Sequence, residues 1–189
     1  MNDQKSRVLM LIGFALVLAR CGGGVGTGGS GDGSSGIGGA SRPTCSATLS
    51  GAVTGTFDCT PAFTVFSPER NVTALHLEYL NLAPPVGSVG HLLFTFEING
   101  RPQTTTYTPA NVRLGGAQVS VNGAQGLTFY DAFTSQGPGS SLRMAITGLD
   151  PWPTSPQTNS YMHGTADATI PYGSGPGARG NVILHATFQ

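Results

Sequence analysis

The sequence predicts an all-β protein: an antiparallel β-sandwich of about eight to ten short strands, with a small β-barrel as the alternative. Two observations favour this class. From Thr44 onward, apolar and polar residues alternate with a period of two, and Gly, Pro and Asn interrupt the alternation. The same region lacks the 3.6-residue apolar period of an amphipathic helix. The predicted organisation is a signal peptide over residues 1–20, a Gly/Ser-rich tether over 21–43 and the β-sandwich over 44–189.

Composition restricts the possible partners. Charged residues make up 10% of the 189-residue chain and the net charge is zero, whereas an average soluble protein has about 25% charged residues. The arginines are scattered singly, so no basic stripe is present to neutralise phosphates, and we expect no nucleic-acid partner. We also expect no nucleotide and no cofactor. The G-x-G-x-x-G match at residues 24–29 is followed by more Gly and Ser rather than by a helix.

The N-terminal segment has the pattern of an export signal. Lys5 and Arg7 precede the apolar run Val8–Ala19, which as a helix covers roughly 18 Å and is too short for the roughly 30 Å hydrocarbon core of a membrane. The stretch Leu18-Ala19-Arg20-Cys21 resembles the lipobox of small bacterial lipoproteins, although Arg20 stands where that family has a small residue. The resemblance implies a lipid on Cys21, an anchor in the cell envelope or outer membrane, and a tether after it. Ordinary cleavage after Ala19, which gives a soluble secreted protein, is the alternative.

The remaining cysteines predict a disulfide. Cys45 and Cys59 form an even pair in an oxidising compartment. If the segment between them folds as a hairpin that turns near Ala52, both sulfurs reach the same end, and the bond stabilises the fold by about 3 kcal/mol. In one continuous strand, the sulfurs would be roughly 45 Å apart. We therefore predict the hairpin and the bond.

The strand pattern predicts three further hairpins. Residues 91–98 alternate cleanly and precede Asn99-Gly100, so a two-residue turn is expected to pair them with an edge strand, Arg101–Thr108. An exposed edge there would allow a neighbouring chain to add a strand, although Pro102 opposes this. Around Asn122-Gly123, a three-residue loop would pair Val119 with Leu127.

The third hairpin lies at the C-terminus and fixes the first candidate site. Pairing Ile170 with Val182 creates an inner row of small residues against large ones and places Asp167 opposite His185. With His163, these residues are a weak metal-site candidate, and a metal-dependent enzyme is one alternative function. The competing interpretation, which we favour, is an Asp–His pair on a solvated sheet face. His76 and Glu78 share a strand face and would allow acid–base chemistry, but exposed strands with alternating polar residues have the same pattern.

The last candidate is a proline-rich loop. Trp152 is the one tryptophan and stands between two prolines, which reduce the entropy cost of presenting its ring to a ligand. Together with Tyr161 it is a candidate contact for a glycan or a protein partner. The competing interpretation is that Trp152 closes one end of the core. Taken together, the sequence predicts an exported, lipid-anchored envelope protein with a non-enzymatic binding or structural domain; a secreted binding module is the alternative.

Overall fold

The structure is a computed structural model that describes residues 43–133, 141–151 and 158–189. Within these ranges the chain forms eleven β-strands and no helix. All of the strand pairs are antiparallel, which confirms the predicted fold class. The strands are β1 Cys45–Gly51, β2 Gly55–Asp58, β3 Phe63–Ser67, β4 Val72–Leu80, β5 Val89–Asn99, β6 Thr106–Tyr107, β7 Leu114–Gly123, β8 Gly126–Phe133, β9 Ser141–Pro151, β10 Asn159–Ser174 and β11 Asn181–Phe188.

The long strand β10 connects two groups of strands. On one side the order is β2-β1-β11-β10-β9-β6, which we call the terminal sheet. On the other side the order is β3-β4-β5-β7-β8, which we call the central sheet. The first residues of β10 pair with β3, and its last residues pair with β8, where Tyr172 lies opposite Tyr130. Both edges of the central sheet are therefore hydrogen-bonded to the same strand.

One hydrophobic core lies between the two sheets. Burial follows a period of two most clearly in β3, β8 and β11, as expected for strands with one face on a core. In the central sheet, β5 buries Leu92, Phe94, Phe96 and Ile98. The inner faces of both sheets contribute to a single continuous cluster, so the architecture is a sandwich. In the terminal sheet the members of that cluster are Cys45, Ala47, Leu49, Tyr107, Leu142, Met144, Ile146, Met162, Ala166, Ala168, Ile170, Val182, Leu184, Ala186 and Phe188.

The predicted C-terminal hairpin is confirmed in its register. Ile170 pairs with Val182, Ala168 with Leu184 and Ala166 with Ala186. All of these side chains are buried. A small residue lies opposite a large one at two inner pairs, Ala168 with Leu184 and Gly164 with Phe188, and every inner pair is apolar, so the hydrophobic pattern favours this register.

The predicted disulfide hairpin is also confirmed. Strands β1 and β2 pair with Ser46 opposite Asp58 and Leu49 opposite Gly55, so the turn is centred on Ala52. Cys45 and Cys59 are bonded, with their Cα atoms 5.0 Å apart. The bond joins the first residue of β1 to the residue that follows β2, at the end of the hairpin opposite its turn.

The predicted hairpin at Asn99-Gly100 is wrong. Gly100 continues alongside β4, since its N–H donates to Asn71 O and its carbonyl accepts from Thr73 Oγ1. The free edge of β5 pairs with β7, which begins fourteen residues after Gly100. Strand β7 offers an unbroken row of N–H groups, whereas Pro102 has none. In the segment predicted as an edge strand, Arg101–Thr108, only Thr106–Tyr107 form a strand, and they pair with β9.

The register predicted around Asn122-Gly123 is wrong as well. Gly123 pairs with Gly126 across a two-residue turn, and Val119 lies opposite Tyr130 rather than Leu127. Tyr130 is buried while Leu127 is exposed. The hydrogen bond that the Tyr130 hydroxyl donates to Ala178 O, at 2.6 Å, explains why a polar aromatic ring takes the inner position.

Candidate functional site

The predicted metal ligands form two separate histidine–aspartate hydrogen bonds on the terminal sheet. His185 Nδ1 lies 2.7 Å from Asp167 Oδ1, and Arg143 contacts the other oxygen of Asp167 at 3.4 Å. His163 Nε2 instead lies 2.7 Å from Asp150 Oδ2. Four residues along a strand separate His163 and Asp167 by about 13 Å.

These positions do not bring His163, Asp167 and His185 together around one ion. In the described part of the chain, no group of three or more His, Cys, Asp and Glu side chains is arranged to hold a metal. The pair at Asp167 is the cross-strand contact that the register predicts, and its exposure limits its contribution to about 1 kcal/mol or less.

Two other candidate residues, Trp152 and Cys21, lie outside the described residues. Tyr161, the predicted companion of Trp152, lies in β10 and is half-buried. It stands opposite Phe63 of β3 and Asp150 of β9. Phe63 in turn stacks on the His76 ring, with centroids 5.3 Å apart.

The third candidate, His76 with Glu78, forms a small electrostatic cluster on the outer face of the central sheet. Glu78 Oε1 lies 3.0 Å from His91 Nε2, and this hydrogen bond is the main cause that lowers the pKa of Glu78. Burial lowers the pKa of His76, and the neighbouring Glu78 partly opposes that effect. The Glu78 carboxylate is hydrogen-bonded to His91 of the neighbouring strand β5, so the arrangement is a structural hydrogen bond rather than an acid–base pair for a substrate.

A groove crosses one end of the sandwich, where four chain reversals meet. It consists of two adjoining cavities of about 330 and about 360 Å³ that share Gly123 and Gly177. We call it the loop groove. Its lining comes from the β1–β2 turn, the β4–β5 loop, the β7–β8 hairpin and the β10–β11 loop, at residues Ala52, Val53, Thr54, Gly87, Val121, Gly123, Ala124, Gln125, Thr128, Tyr130, Pro176, Gly177 and Ala178.

Two glycines are needed where the hairpin and the β10–β11 loop meet. A Cβ at Gly177 would lie 2.4 Å from Thr128 Oγ1, and one at Gly123 would lie 2.8 Å from Gly126 O. The Gly177 N–H donates to Thr128 Oγ1 at 2.8 Å, and Tyr130 donates to the next residue, Ala178. Burial raises the pKa of Tyr130 above its ordinary value, so its hydroxyl stays protonated as a donor. The groove therefore has a floor of backbone and small side chains.

The β4–β5 loop, residues 81–88, contributes Gly87 to the groove and is hydrogen-bonded to β7. The Asn122 side chain donates to Pro84 O at 2.8 Å. Its backbone N–H donates to Ser88 O, and its carbonyl accepts from the Gly87 N–H. Within the loop, Ser88 Oγ donates to Pro85 O. These bonds define the loop's path even though it forms no strand.

This loop directs large apolar side chains into solvent. Leu82 is 88% exposed and Val86 is 67% exposed. At the end of β4 Leu80 is 55% exposed, and at the start of β8 Leu127 is 50% exposed. Leu82 and Val86 are not among the candidate residues predicted from the sequence. The available signal was Leu82 and Val86 on either side of Pro84-Pro85, the same combination of prolines and apolar residues that singled out Trp152.

The described lining of the loop groove is uncharged apart from what Tyr130 can carry, and the Tyr130 hydroxyl is hydrogen-bonded within the protein. The groove offers apolar contact, backbone polar groups and the hydroxyls of Thr54 and Thr128.

No protein family, curated protein or solved structure matches this chain. Among the described residues, no helix has the length and apolar character needed to cross a membrane.

Proposed function

We propose that this protein is an exported cell-envelope protein, anchored by a lipid on Cys21, whose β-sandwich serves as a non-enzymatic binding module. The observation that carries the proposal is the order of segments at the N-terminus: a basic start, the apolar run Val8–Ala19, the lipobox-like Leu18–Cys21, and a Gly/Ser-rich stretch. The resemblance to bacterial lipoproteins supports the anchor. The disulfide between Cys45 and Cys59 supports an oxidising compartment.

The first described residues lie at the end of β1 that is opposite the loop groove. Pro43 precedes Thr44, which pairs with Gln189, and the chain then enters β1 at Cys45. The other end of β1 leads into the β1–β2 turn, which lines the loop groove. Seven residues of strand separate the two ends by about 20 Å. A tether attached at Pro43 therefore joins the domain at the end opposite the loop groove.

Replacement of the acceptor sulfur tests the anchor. We expect Cys21→Ser to move the protein from the membrane fraction to the soluble fraction, because no acyl chain can be added to serine by thioether formation. Arg20→Ala, which brings the lipobox-like stretch closer to the family pattern, should stay in the membrane fraction. Membrane association that is equal in the wild type and in Cys21→Ser would contradict the proposal.

A secreted glycan-binding module is the second candidate, and one observation favours it. Tyr161, Phe63 and His76 are cross-strand neighbours in one row, and Phe63 and His76 stack. Aromatic rows of this kind present ring faces to sugars. Under this candidate, Tyr161→Ala weakens binding to a panel of immobilised polysaccharides while the fold is kept. An absence of polysaccharide binding by the wild type would eliminate it.

A further inference from the structure

We propose that Asn71 is a site of N-linked glycosylation, at which an oligosaccharide is joined to the side-chain amide. The proposal rests on one part of the proposed function, the export of the chain, because the acceptor pattern at Asn71 is one that is modified in secreted proteins. It depends neither on the lipid at Cys21 nor on the binding role of the sandwich.

The stretch Asn71-Val72-Thr73 has the sequence of an acceptor, Asn-x-Ser/Thr with a residue other than proline in the middle. In this pattern the asparagine supplies the nitrogen that receives the sugar, and the transferring enzyme recognises the hydroxyl two residues later. At every other asparagine of the sequence, the residue two positions later is neither Ser nor Thr. A three-residue pattern also occurs by chance, so the position of Asn71 in the fold has to be compatible with an attached sugar.

Asn71 is the last residue of the turn that joins β3 to β4. Pro68, Glu69 and Arg70 precede it in this turn, and all four residues are exposed. The φ of +49° at Asn71 is a left-handed conformation, which asparagine adopts more readily than most residues. Its backbone N–H donates to Pro68 O, and its carbonyl accepts from the Gly100 N–H. The backbone of Asn71 is thus fixed at a point where its side chain meets solvent.

The surroundings of the Asn71 side chain leave its amide available and leave room for a sugar. Among the described residues, the amide has no hydrogen-bond partner. Asn99, which lies opposite Val72 in the β4–β5 ladder, is exposed, and 60% of the Arg70 side chain is exposed. An attached oligosaccharide is bulky and hydrated, so it requires an attachment point surrounded by solvent. At Asn71 it would displace no packed side chain.

The transfer requires a sugar donor of one chemical class, an oligosaccharide linked through a diphosphate to a membrane lipid. The Nδ2 atom of Asn71 attacks the anomeric carbon of this donor. The N–C bond forms as the C–O bond to the diphosphate breaks, Nδ2 loses one proton, and the lipid diphosphate leaves with the bonding electron pair. Since no group is oxidised or reduced, the donor and the transferase are sufficient.

Thr73 determines when the transfer takes place. Its side chain is fully buried, and its hydroxyl donates to Gly100 O at 2.6 Å. Thr73 lies opposite Phe66 of β3 and Ile98 of β5, so both neighbouring strands cover it. A transferase cannot bind this hydroxyl in the folded domain. We therefore expect the sugar to be added to the exported chain before β4 pairs with its neighbours.

Mass spectrometry of the mature protein from its native cells tests the site. Cleavage after glutamate releases residues 70–78, a peptide that contains Asn71 and no other asparagine. We expect its mass to exceed that of the unmodified peptide by a whole number of sugar residues. Asn99 is the internal control, since it is exposed beside the turn but is followed by Gly-Arg, and it should carry no sugar. A mature exported chain in which Asn71 is unmodified, or is converted to aspartate without a sugar, overturns the proposal.

Variants produced in the same cells test recognition by the transferase. Asn71→Gly removes the amide and adopts the left-handed conformation easily, so it should fold and lose the whole added mass. Thr73→Val keeps Asn71 and the side-chain volume but removes the hydroxyl, and it should also lose the added mass. Thr73→Ser is the matched control that keeps a hydroxyl and should remain modified. A sugar that persists on Asn71 in Thr73→Val overturns the proposal.

A reconstituted reaction tests the order of transfer and folding. The substrates are the folded chain of Asn71 without a sugar and a synthetic, unfolded peptide of residues 67–75, each incubated with an oligosaccharyl transferase and its lipid-linked donor. We expect the folded chain to be modified at least about tenfold more slowly than the peptide, because Thr73 becomes accessible only when β4 opens. Equal rates contradict this order, and a peptide that is not modified contradicts the acceptor role of Asn71.

Failure of this proposal is distinguishable from failure of the proposed function. A mature, exported chain with an unmodified Asn71 overturns the glycosylation and leaves the export in place. A chain that retains Met1 and stays in the cytosol overturns the export and the glycosylation together. Fractionation of Cys21→Ser tests the lipid anchor separately, so a glycosylated chain without lipid is a further distinct result, and it supports the present proposal.

Discussion

His76 shows how burial on a sheet face changes the chemistry of one residue. Its ring stacks on Phe63, and Glu78 lies two residues along the same strand. Burial lowers the pKa of His76 below its ordinary value of 6.5, while Glu78, itself hydrogen-bonded to His91, opposes the shift. The sequence placed His76 and Glu78 on one face, but it contained no sign that His91, on the next strand, would take the carboxylate.

This environment predicts a pH dependence of stability. Because the pKa of His76 is lower in the folded state, the unfolded chain takes up the proton first as the pH falls below 6.5. The free energy of unfolding should therefore decrease as the pH falls from 6.5 toward the folded-state pKa. The contribution of one such group is at most about 1.4 kcal/mol per pH unit. Urea unfolding between about pH 5 and pH 7 measures this slope.

The matched variant is His76→Phe, which keeps a ring against Phe63 and removes the titrating group. We expect its unfolding free energy to change less with pH over the same range. The pKa of Glu78 is lowered from 4.5, so the stability that it contributes is lost only at more acidic pH. Equal slopes in the wild type and in His76→Phe would show that this histidine is not the source of the pH dependence.

At the same scale, Tyr130 explains why one strand face was predicted incorrectly. The hydrophobic pattern alone favours Leu127 and Phe129 on the inner face. The structure places Thr128 and Tyr130 there, because their hydroxyls find partners at Gly177 and Ala178 in the β10–β11 loop. The pattern of apolar residues contains no information about hydrogen-bond partners that lie about fifty residues further along the chain.

The hairpins show which elements a sequence determines well. The pairing of β10 with β11 follows from small residues opposite large ones, and the pairing of β1 with β2 follows from the two cysteines. Asn99-Gly100 was misleading because β5 pairs with β4 and β7, both of which give it long uninterrupted ladders. Local turn chemistry is a weaker determinant than the number of pairs that a strand can make.

The disulfide makes a prediction at the level of the β1–β2 hairpin. We expect Cys45→Ala/Cys59→Ala to lower the free energy of unfolding by about 3 kcal/mol, because the bond that closes this hairpin restricts the unfolded chain. Urea unfolding in the absence of reductant measures the loss. Cys21→Ser is the control and should unfold as the wild type does. An unchanged midpoint in the double variant would mean that the bond contributes nothing to stability.

The irregularity in the β9–β10 ladder makes a second prediction. Gly164 has φ of +149°, and a Cβ there would lie 1.9 Å from Ala145 O. The ladder shifts register at this position, where His163 pairs with Gly148 and Gly164 pairs with Ile146. We expect Gly164→Ala to destabilise the fold by about 2 kcal/mol or more, as measured by thermal unfolding.

Gly148→Ala is the matched control for that substitution. Its Cβ would approach the His163 side chain at 3.3 Å rather than a backbone oxygen, so the neighbouring ring can move slightly. We expect a loss of under about 1 kcal/mol. Similar losses in the two variants would contradict the strain that we assign to Gly164.

At the scale of the whole molecule, the period-two pattern was sufficient to predict an antiparallel all-β fold. The loop groove could not be predicted, because it is assembled from four turns that are far apart in sequence. Taken singly, each turn has the sequence of an ordinary Gly- or Pro-rich connection between strands. Their meeting depends on β10, which pairs with β3, β8, β9 and β11 and so brings both sheets to a common end.

The edges of the described fold also bear on how copies of the chain meet. The terminal sheet ends at β2 and β6, which are four and two residues long. Strand β6 itself offers few free backbone groups to a neighbouring strand, and it covers only Met144 and Ala145 of the eleven residues of β9. The predicted strand acceptor at Arg101–Thr108 is reduced to the two residues of β6, and Arg101 lies over the Phe66 ring with its guanidinium carbon 4.5 Å from the centroid. Strand addition to β6 is therefore disfavoured.

The central claim, a lipid-anchored envelope protein, is tested most directly by the intact mass of the mature protein from the envelope fraction, before and after reduction. We predict a chain that begins at Cys21, carries additional acyl mass and gains two hydrogens when the Cys45–Cys59 bond is reduced. A mature chain that begins at Arg20 and carries no lipid would contradict the anchor and identify a soluble secreted protein.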